Sequence, residues 1–184
     1  MARVPYLEAA DLAPEHRDLL KRPINFYKAM VNSPRARRAA SHIGHYIRWE
    51  TKLDSRLREL AILQVGYLTR SPYEWSHHIK LGYEFGVTDA DIRALIDVSE
   101  GRPAPGLDEM TAMVLKAARE ITKDGAMAQP TWDFLKARLE LEHLIDLTLS
   151  ACHYNSVVRL LATLQVDVEP EYMPYLEKYP LPKG

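Results

Sequence analysis

Glu59-Leu60-Ala61-Ile62-Leu63-Gln64-Val65-Gly66-Tyr67-Leu68-Thr69-Arg70-Ser71-Pro72-Tyr73-Glu74-Trp75-Ser76-His77-His78 is the stretch that decides the fold. Its first half is apolar on nearly every side of a helix, which marks a helix at the centre of a core rather than on its surface. Ser71-Pro72 then reads as an N-cap followed by proline at the first helical position, so a second helix starts at once. On that second helix Glu74 and His78 are four residues apart and share a face about one turn apart. A carboxylate beside an imidazole is the usual material of proton transfer.

Working outward, the chain reads as helix after helix, with no convincing alternating strand. Residues 1–13 form an extended lead-in, Pro14 opens a short helix through Leu20, and Ile24 to Val31 is apolar, aromatic and helical. Ser33-Pro34 opens a helix to about Trp49, in which Ala39, Ile43, Tyr46 and Ile47 recur at helical spacing with arginines on the other side. Asp54 or Ser55 caps the central helix. The helix opened by Ser71 stops near Gly86, and Thr88-x-x-Asp91 is a capping arrangement for a helix through about Val98. After the loop Gly101 to Gly106, Asp108 to Lys123 is amphipathic and ends at Gly125. Thr131 caps a helix to about Leu139, and Leu141 to Val166 is the longest periodic segment, with a break near His143. The tail, residues 169–184, carries four prolines and several tyrosines and reads as an extended arm. The expectation is one all-α domain over residues 1–184.

Composition excludes several classes. A net charge of −1 with interspersed signs gives no footprint for nucleic acid. No apolar stretch approaches the ~18–20 residues that span a membrane, and no signal core precedes the first helix, so the expected setting is cytoplasmic. The single cysteine, Cys152, cannot run a dithiol cycle alone, and its apolar helical surroundings suggest a small buried hydrophobe.

The segment resembles the carboxymuconolactone decarboxylase superfamily, which includes the alkylhydroperoxidase D-like proteins. The peroxidase branch carries a glutamate, a Cys-x-x-Cys pair and a histidine. With Glu59 as the glutamate, the cysteine positions fall on Ser71 and Glu74 and the histidine on His78, so both redox cysteines are absent. Glu74-x-x-x-His78 followed by Gly86-Val87-Thr88 is similar to the lactone decarboxylase branch, and Tyr73-Glu74-Trp75-x-x-His78 looks like a thiol-free subgroup. The resemblance implies a helical bundle of the alkylhydroperoxidase D-like type, assembly as a homotrimer or homohexamer, and sites near subunit boundaries. It implies cofactor-free acid–base chemistry on a small lactone or keto acid of aromatic catabolism.

The candidate catalytic residues are therefore His78, Glu74 and Glu59, with Ser71, Tyr73, Tyr154 and Asn155 as candidate substrate contacts; Tyr154 and Asn155 enter on the resemblance alone. Each has a blander reading. Ser71-x-x-Glu74 is also a capping box, in which Glu74 only reaches back to the Ser71 N–H. Glu59 needs a compensating partner: either His78 across the site or a basic residue such as Arg58 or Arg56, and since sequence neighbours face each other poorly, a remote partner rather than Arg58. Trp75 reads as structural, and His77 as surface or interface, with reach into the pocket as its lesser reading. His42-x-x-His45 and Glu74-x-x-x-His78 each place two metal-ligand types on one helical face, without a recognised metal motif around them, so no metal or cofactor is expected. Two further readings remain open: an oligomeric binding or scaffold protein that has lost its chemistry, and peroxide reduction, which Ser71 and Glu74 cannot support as thiols.

Overall fold

The computed structural model describes residues 2–183; Met1 of the lead-in and Gly184 of the tail lie outside the described residues. Nine α-helices, α1 Asn25–Met30, α2 Pro34–His45, α3 Ser55–Leu68, α4 Pro72–Glu84, α5 Asp89–Ser99, α6 Glu109–Asp124, α7 Gln129–Lys136, α8 Leu141–Leu164 and α9 Met173–Lys178, account for most of the described residues, with no strand among them. One of the three short 3-10 turns, Pro14–Leu20, occupies the place expected for the first helix, and one turn of π-helix, Tyr46–Glu50, prolongs α2.

Helix α3 is the axis. Every residue from Arg58 to Tyr67 is buried, and α3 packs on α4, α5, α6 and α8. Asp54 caps it by accepting from the Leu57 N–H, and Ser71 caps α4 through its Oγ. Gly86, at φ +89°, ends α4 in the left-handed region that glycine enters without a steric penalty. Thr88 and Asp91 form the expected reciprocal box. The short α3–α4 connection forces a close crossing: a β-carbon on Gly66 would come within 3.3 Å of the Trp75 amide nitrogen and 3.5 Å of the Glu74 Cγ. Glycine here lets the two site helices meet.

Several local expectations are corrected. The helix expected to start at Thr131 is capped at Ala128, because Thr131 lies inside α7 and gives its hydroxyl proton to buried Glu120. Helix α8 runs unbroken through His143. The tail is not extended: it forms a 3-10 turn, Pro170–Tyr172, and α9, which packs along α4. Several bonds hold it, among them Trp75 Nε1–H to the Tyr179 carbonyl at 2.8 Å and the His77–Glu169 contact described below. Cys152 is exposed rather than buried, since it lies on an outer stripe of α8 with Leu141, Ile145, Leu149 and Leu160 that no other element covers. No described helix is long and apolar enough to cross a membrane.

Candidate active site

Helices α3 and α4 bring Glu59, Glu74 and His78 together. His78 Nδ1 lies 2.7 Å from Glu59 Oε2, and Nε2 lies 2.9 Å from Glu74 Oε1. The imidazole is thus held between two carboxylates, one from each helix, and all three side chains are almost wholly buried. The Glu74 contact is one of charge and proximity. Its Oε1 is buried with no well-aligned hydrogen bond, while the Glu59 contact meets hydrogen-bond geometry. The capping-box alternative is half realised: the Ser71 hydroxyl accepts from the Glu74 amide at 3.4 Å, but the Glu74 side chain turns to His78 rather than back to Ser71.

Glu59 has the arginine that sequence spacing disfavoured. Arg58, next in the chain and equally buried, gives Nε–H and Nη2–H to Glu59 Oε1 at 3.2 and 3.1 Å and lies over the Phe85 ring. The long arginine side chain curls back across the helix, which a neighbour with a shorter side chain cannot do. Burial alone pushes Glu59 up, but His78 and then Arg58 outweigh it, so Glu59 is held below its ordinary range. Burial pushes His78 down, and Glu74 and Glu59 together more than offset this and raise it to about 9. At neutral pH the imidazole is protonated.

The cluster opens on a cavity of about 570 Å³ bounded by α1, α2, the π-turn, α4 and α8. Glu74, His78, Tyr73 and Tyr154 line it; Glu59 lies behind His78, out of the cavity. Tyr154 meets the His78 ring edge-on, with centroids 4.8 Å apart. Ser71 and Asn155 do not line the cavity. Ser71 serves as the α4 cap, and Asn155 points toward α6, giving its amide protons to Thr122 Oγ1 and the Ala151 carbonyl. Tyr73 lines the cavity, yet its hydroxyl is occupied: it donates to Glu169 Oε1 at 2.9 Å and accepts from the Phe26 N–H at 3.1 Å.

His77 is not a surface residue but reaches the cavity wall. It is buried, stacked between Tyr73 and Tyr172 with centroids 4.0 and 3.5 Å away, and its Nε2 lies 2.8 Å from Glu169 Oε2. Burial outweighs that single carboxylate and lowers His77 below its ordinary value. Sequence reasoning missed this partnership, which joins residues 92 apart. It also missed Arg37 and Arg48, placed on the outer face of α2 by their charge but lining the cavity. Their signal was present: Arg37, Ala40, Ser41, Gly44 and Arg48 share one helical face. His42 and His45 also border the cavity, but both are exposed, and His45 pairs with Glu50 at the rim. Among the described residues no group of three or more His, Cys, Asp or Glu is arranged to hold a metal ion.

The arrangement is an all-helical bundle with a buried Glu–His–Glu cluster opening on a cavity. The profile of the Carboxymuconolactone decarboxylase family matches residues 34–120, from the start of α2 to within α6. No protein of curated function matches the chain. Among solved structures, the chain is similar to the alkylhydroperoxidase AhpD core of an uncharacterized peroxidase-related protein from Ralstonia eutropha JMP134, with TM-score 0.79 and 14% identity over 95% of each chain. It is similar to the debrominase Bmp8 in complex with 2,3,4-tribromopyrrole, with TM-score 0.78 and 15% identity over 97% of each chain. A peroxidase-related protein from Silicibacter sp. TM1040 gives 0.71 at 15% identity, covering 94% of this chain and 97% of that one. At such identities these likenesses establish the fold alone. Residues 34–120 thus match the carboxymuconolactone decarboxylase family, and the chain as a whole has an AhpD-like fold.

Proposed function

We propose that the protein is an acid–base lyase of the decarboxylase type, acting on a small lactone or keto acid without a cofactor of its own. The observation that carries this reading is His78, held between Glu59 and Glu74 on the wall of a cavity large enough for a small substrate. Both imidazole nitrogens are engaged, so the proton-transfer unit is the Glu74–His78 pair rather than the imidazole alone. Glu74 is the member whose oxygen is short of a hydrogen bond at the cavity. Glu59, backed by Arg58, fixes the ring and its charge.

In the proposed reaction the substrate's carboxylate–carbon bond breaks and carbon dioxide leaves. The electron pair moves into the substrate's own carbonyl or lactone as an enolate. That enolate takes a proton at carbon from the Glu74–His78 pair, which solvent then reprotonates. Positioned acids and bases of this kind contribute about 10²–10⁴-fold. The test is carbon dioxide release from a panel of lactones and keto acids in D₂O, with NMR detection of deuterium at the carbon that lost the carboxylate. Glu74→Gln and His78→Gln are expected to lower turnover by about 10²–10⁴-fold. Full turnover in a folded Glu74→Gln protein sinks the assignment.

A purely structural scaffold would have a filled core at this place, so the cavity disfavours that reading, and the carbon dioxide assay separates the enzyme from a non-catalytic binding protein. Peroxide reduction by a dithiol cycle lacks its second thiol, and exposed Cys152 is not among the residues lining the cavity. The reading includes self-association as a homotrimer or homohexamer in the cytoplasm. The uncovered apolar stripe of α8 supports the association, because Leu160 belongs both to that stripe and to the cavity wall.

A further inference from the structure

Tyr27, Tyr73 and Tyr154 all line the cavity, but their hydroxyls are committed differently. The Tyr73 hydroxyl belongs to the fold, since it donates to Glu169 and accepts from the Phe26 N–H. Tyr154 is another case. It is only 6% exposed, yet among the described residues no carbonyl or carboxylate accepts its proton. Its ring meets His78 edge-on, with centroids 4.8 Å apart. Its hydroxyl faces charges of both signs, the Glu74 carboxylate and the Arg48 guanidinium. Burial first, and Glu74 after it, hold the phenol above its ordinary value, so it keeps its proton at neutral pH.

Arg48 occupies the oxygen of that hydroxyl and leaves the proton. It stands half-buried on the π-turn, and its side chain hydrogen-bonds Tyr154. A guanidinium has donors only, so Tyr154 Oη is the acceptor there and its O–H is free for a third group. The fold keeps the two residues together. Buried Asp146, about two turns before Tyr154 on α8, ties the π-turn to that helix by accepting from the Tyr46 hydroxyl at 2.7 Å and from Thr51 Oγ1 at 2.6 Å. Turns of this kind are frequent at functional sites. Tyr27, on α1, faces the same arginine, but its ring contacts are with Phe26 and Arg37 rather than with His78.

We propose that the Tyr154 hydroxyl, backed by Arg48, is the oxyanion donor of the site, binding the enolate oxygen of the substrate while the adjoining carbon faces the Glu74–His78 pair. This rests on the proposed function and deepens it. When the bond to the leaving carboxylate breaks, its electron pair ends on the substrate's own carbonyl oxygen. Tyr154 donates a hydrogen bond to that oxygen and keeps its proton. The electron pair then returns to carbon as the new C–H bond, with the proton supplied by Glu74–His78. A donor already fixed by packing strengthens as negative charge develops and needs no reorganisation at that moment. Arg48 is a positioning residue that acts through Tyr154: its N–H on Oη polarises the phenol and makes it a stronger donor. The arrangement suits a substrate whose carbonyl oxygen adjoins the carbon to be protonated, in a keto acid or in a lactone.

The experiment uses 4-nitrophenol, whose phenolate carries an enolate-like oxygen on an apolar ring and whose ionisation is read by absorbance. Bound to the full chain, it is expected to ionise at least about one pKa unit below its value in buffer, a tenfold shift. Tyr154→Phe removes a hydroxyl and no charge, and should abolish most of that shift; Arg48→Gln should abolish part of it, and Tyr27→Phe should leave it in place. Wild type and Tyr154→Phe hold the same histidines and carboxylates, so their difference reports the hydroxyl. Tyr154→Phe should also melt within about 4 °C of wild type. A larger fall would make the hydroxyl structural and overturn the proposal. If Tyr154→Phe does not fold, Arg48→Gln decides, and an unchanged shift there overturns it. No turnover is needed, so a blank carbon dioxide assay with the shift intact would sink the lyase reading and leave the oxyanion site standing. With a substrate that is decarboxylated, Tyr154→Phe should lower kcat by about 10²–10³-fold with little change in KM. No shift in wild type, a full shift in Tyr154→Phe, or a loss in Tyr27→Phe instead would overturn the assignment.

Discussion

His77 and His78 are neighbours on α4, both are buried, and each has a glutamate oxygen within 2.8 Å, yet they end in opposite charge states. His78 has a carboxylate at each nitrogen and is raised to about 9. His77 has one carboxylate, with aromatic rings on both faces, and is lowered. Burial disfavours the imidazolium in both. The second carboxylate decides the sign. The difference separates two jobs: His77, a neutral donor on the current balance of forces, ties the tail to α4 through Glu169, while His78 keeps a mobile proton at the cavity.

The comparison is broken most forcefully by Glu59→Gln. It leaves His78 with one carboxylate, as His77 has, so its titration should fall from about 9 toward the ordinary range. It also leaves Arg58 buried without its counter-ion, which costs about 3–5 kcal/mol. A fall in melting temperature of roughly 10 °C, with an NMR titration of the His78 ring, checks both. An unchanged His78 titration would mean that Glu74 alone holds the charge.

Glu169→Gln is the matching change on the other side. Glu169 is itself held down, to about 2, chiefly because His77 and the Asn25 N–H outweigh its burial. The amide can still accept from Asn25 and Tyr73, so the loss should be smaller, about 1–2 kcal/mol. It should show first as faster amide exchange in α9, while the His78 titration stays in place. If α9 exchange does not change, the tail is held by Trp75 and Tyr179 and the His77 pair is incidental.

The two histidines also predict opposite slopes of stability against pH. His78 is protonated more readily in the folded chain than its ordinary 6.5, so its contribution is complete below about pH 6.5 and fades as pH rises through 9. His77 is lowered, so its contribution is present above about 6.5 and is lost as pH falls through its folded value. Denaturant midpoints across pH 5–10 in wild type, His77→Gln and His78→Gln separate the two. Removing His78 should flatten the alkaline limb and removing His77 the acid limb; the reverse assignment would overturn the charge states argued here.

Much of this was legible before any coordinates. An unbroken apolar run announced α3 as the axis, a lone carboxylate within it marked Glu59, and the spacing of Glu74 and His78 placed them on one face. Gly86, Gly125 and the Thr88–Asp91 box set helix ends by local rules that need no partner. What escaped was what depends on distant contacts. Nothing near His77 announces Glu169 or Tyr172, which arrive with the tail. Arg37, flanked by Arg35 and Arg38, reads as one more solvated charge until α1 covers it. Cys152 misled for the converse reason: its apolar helical neighbours include an outer stripe that the single chain leaves bare.

The smallest expected effect is also the most selective. Gly66→Ala sets a methyl group 3.3 Å from the Trp75 amide nitrogen and 3.5 Å from the Glu74 Cγ, while Glu59, on the same helix, keeps its place. Alanine is the better helix former by about 1 kcal/mol, and crowding a tight crossing costs about as much or somewhat more. Net stability should therefore change by no more than about 1 kcal/mol. The Trp75 amide, however, must give by a few tenths of an ångström, and that shift of the α4 backbone moves the adjoining Glu74 in a contact that depends on charge and proximity rather than on an aligned hydrogen bond. The His78 titration should drop by less than in Glu59→Gln, with His77 unmoved, and turnover should fall with it. If His78 titrates as in wild type while turnover is lost, Glu74 acts on the substrate without the imidazole, and the pair must be divided into separate roles.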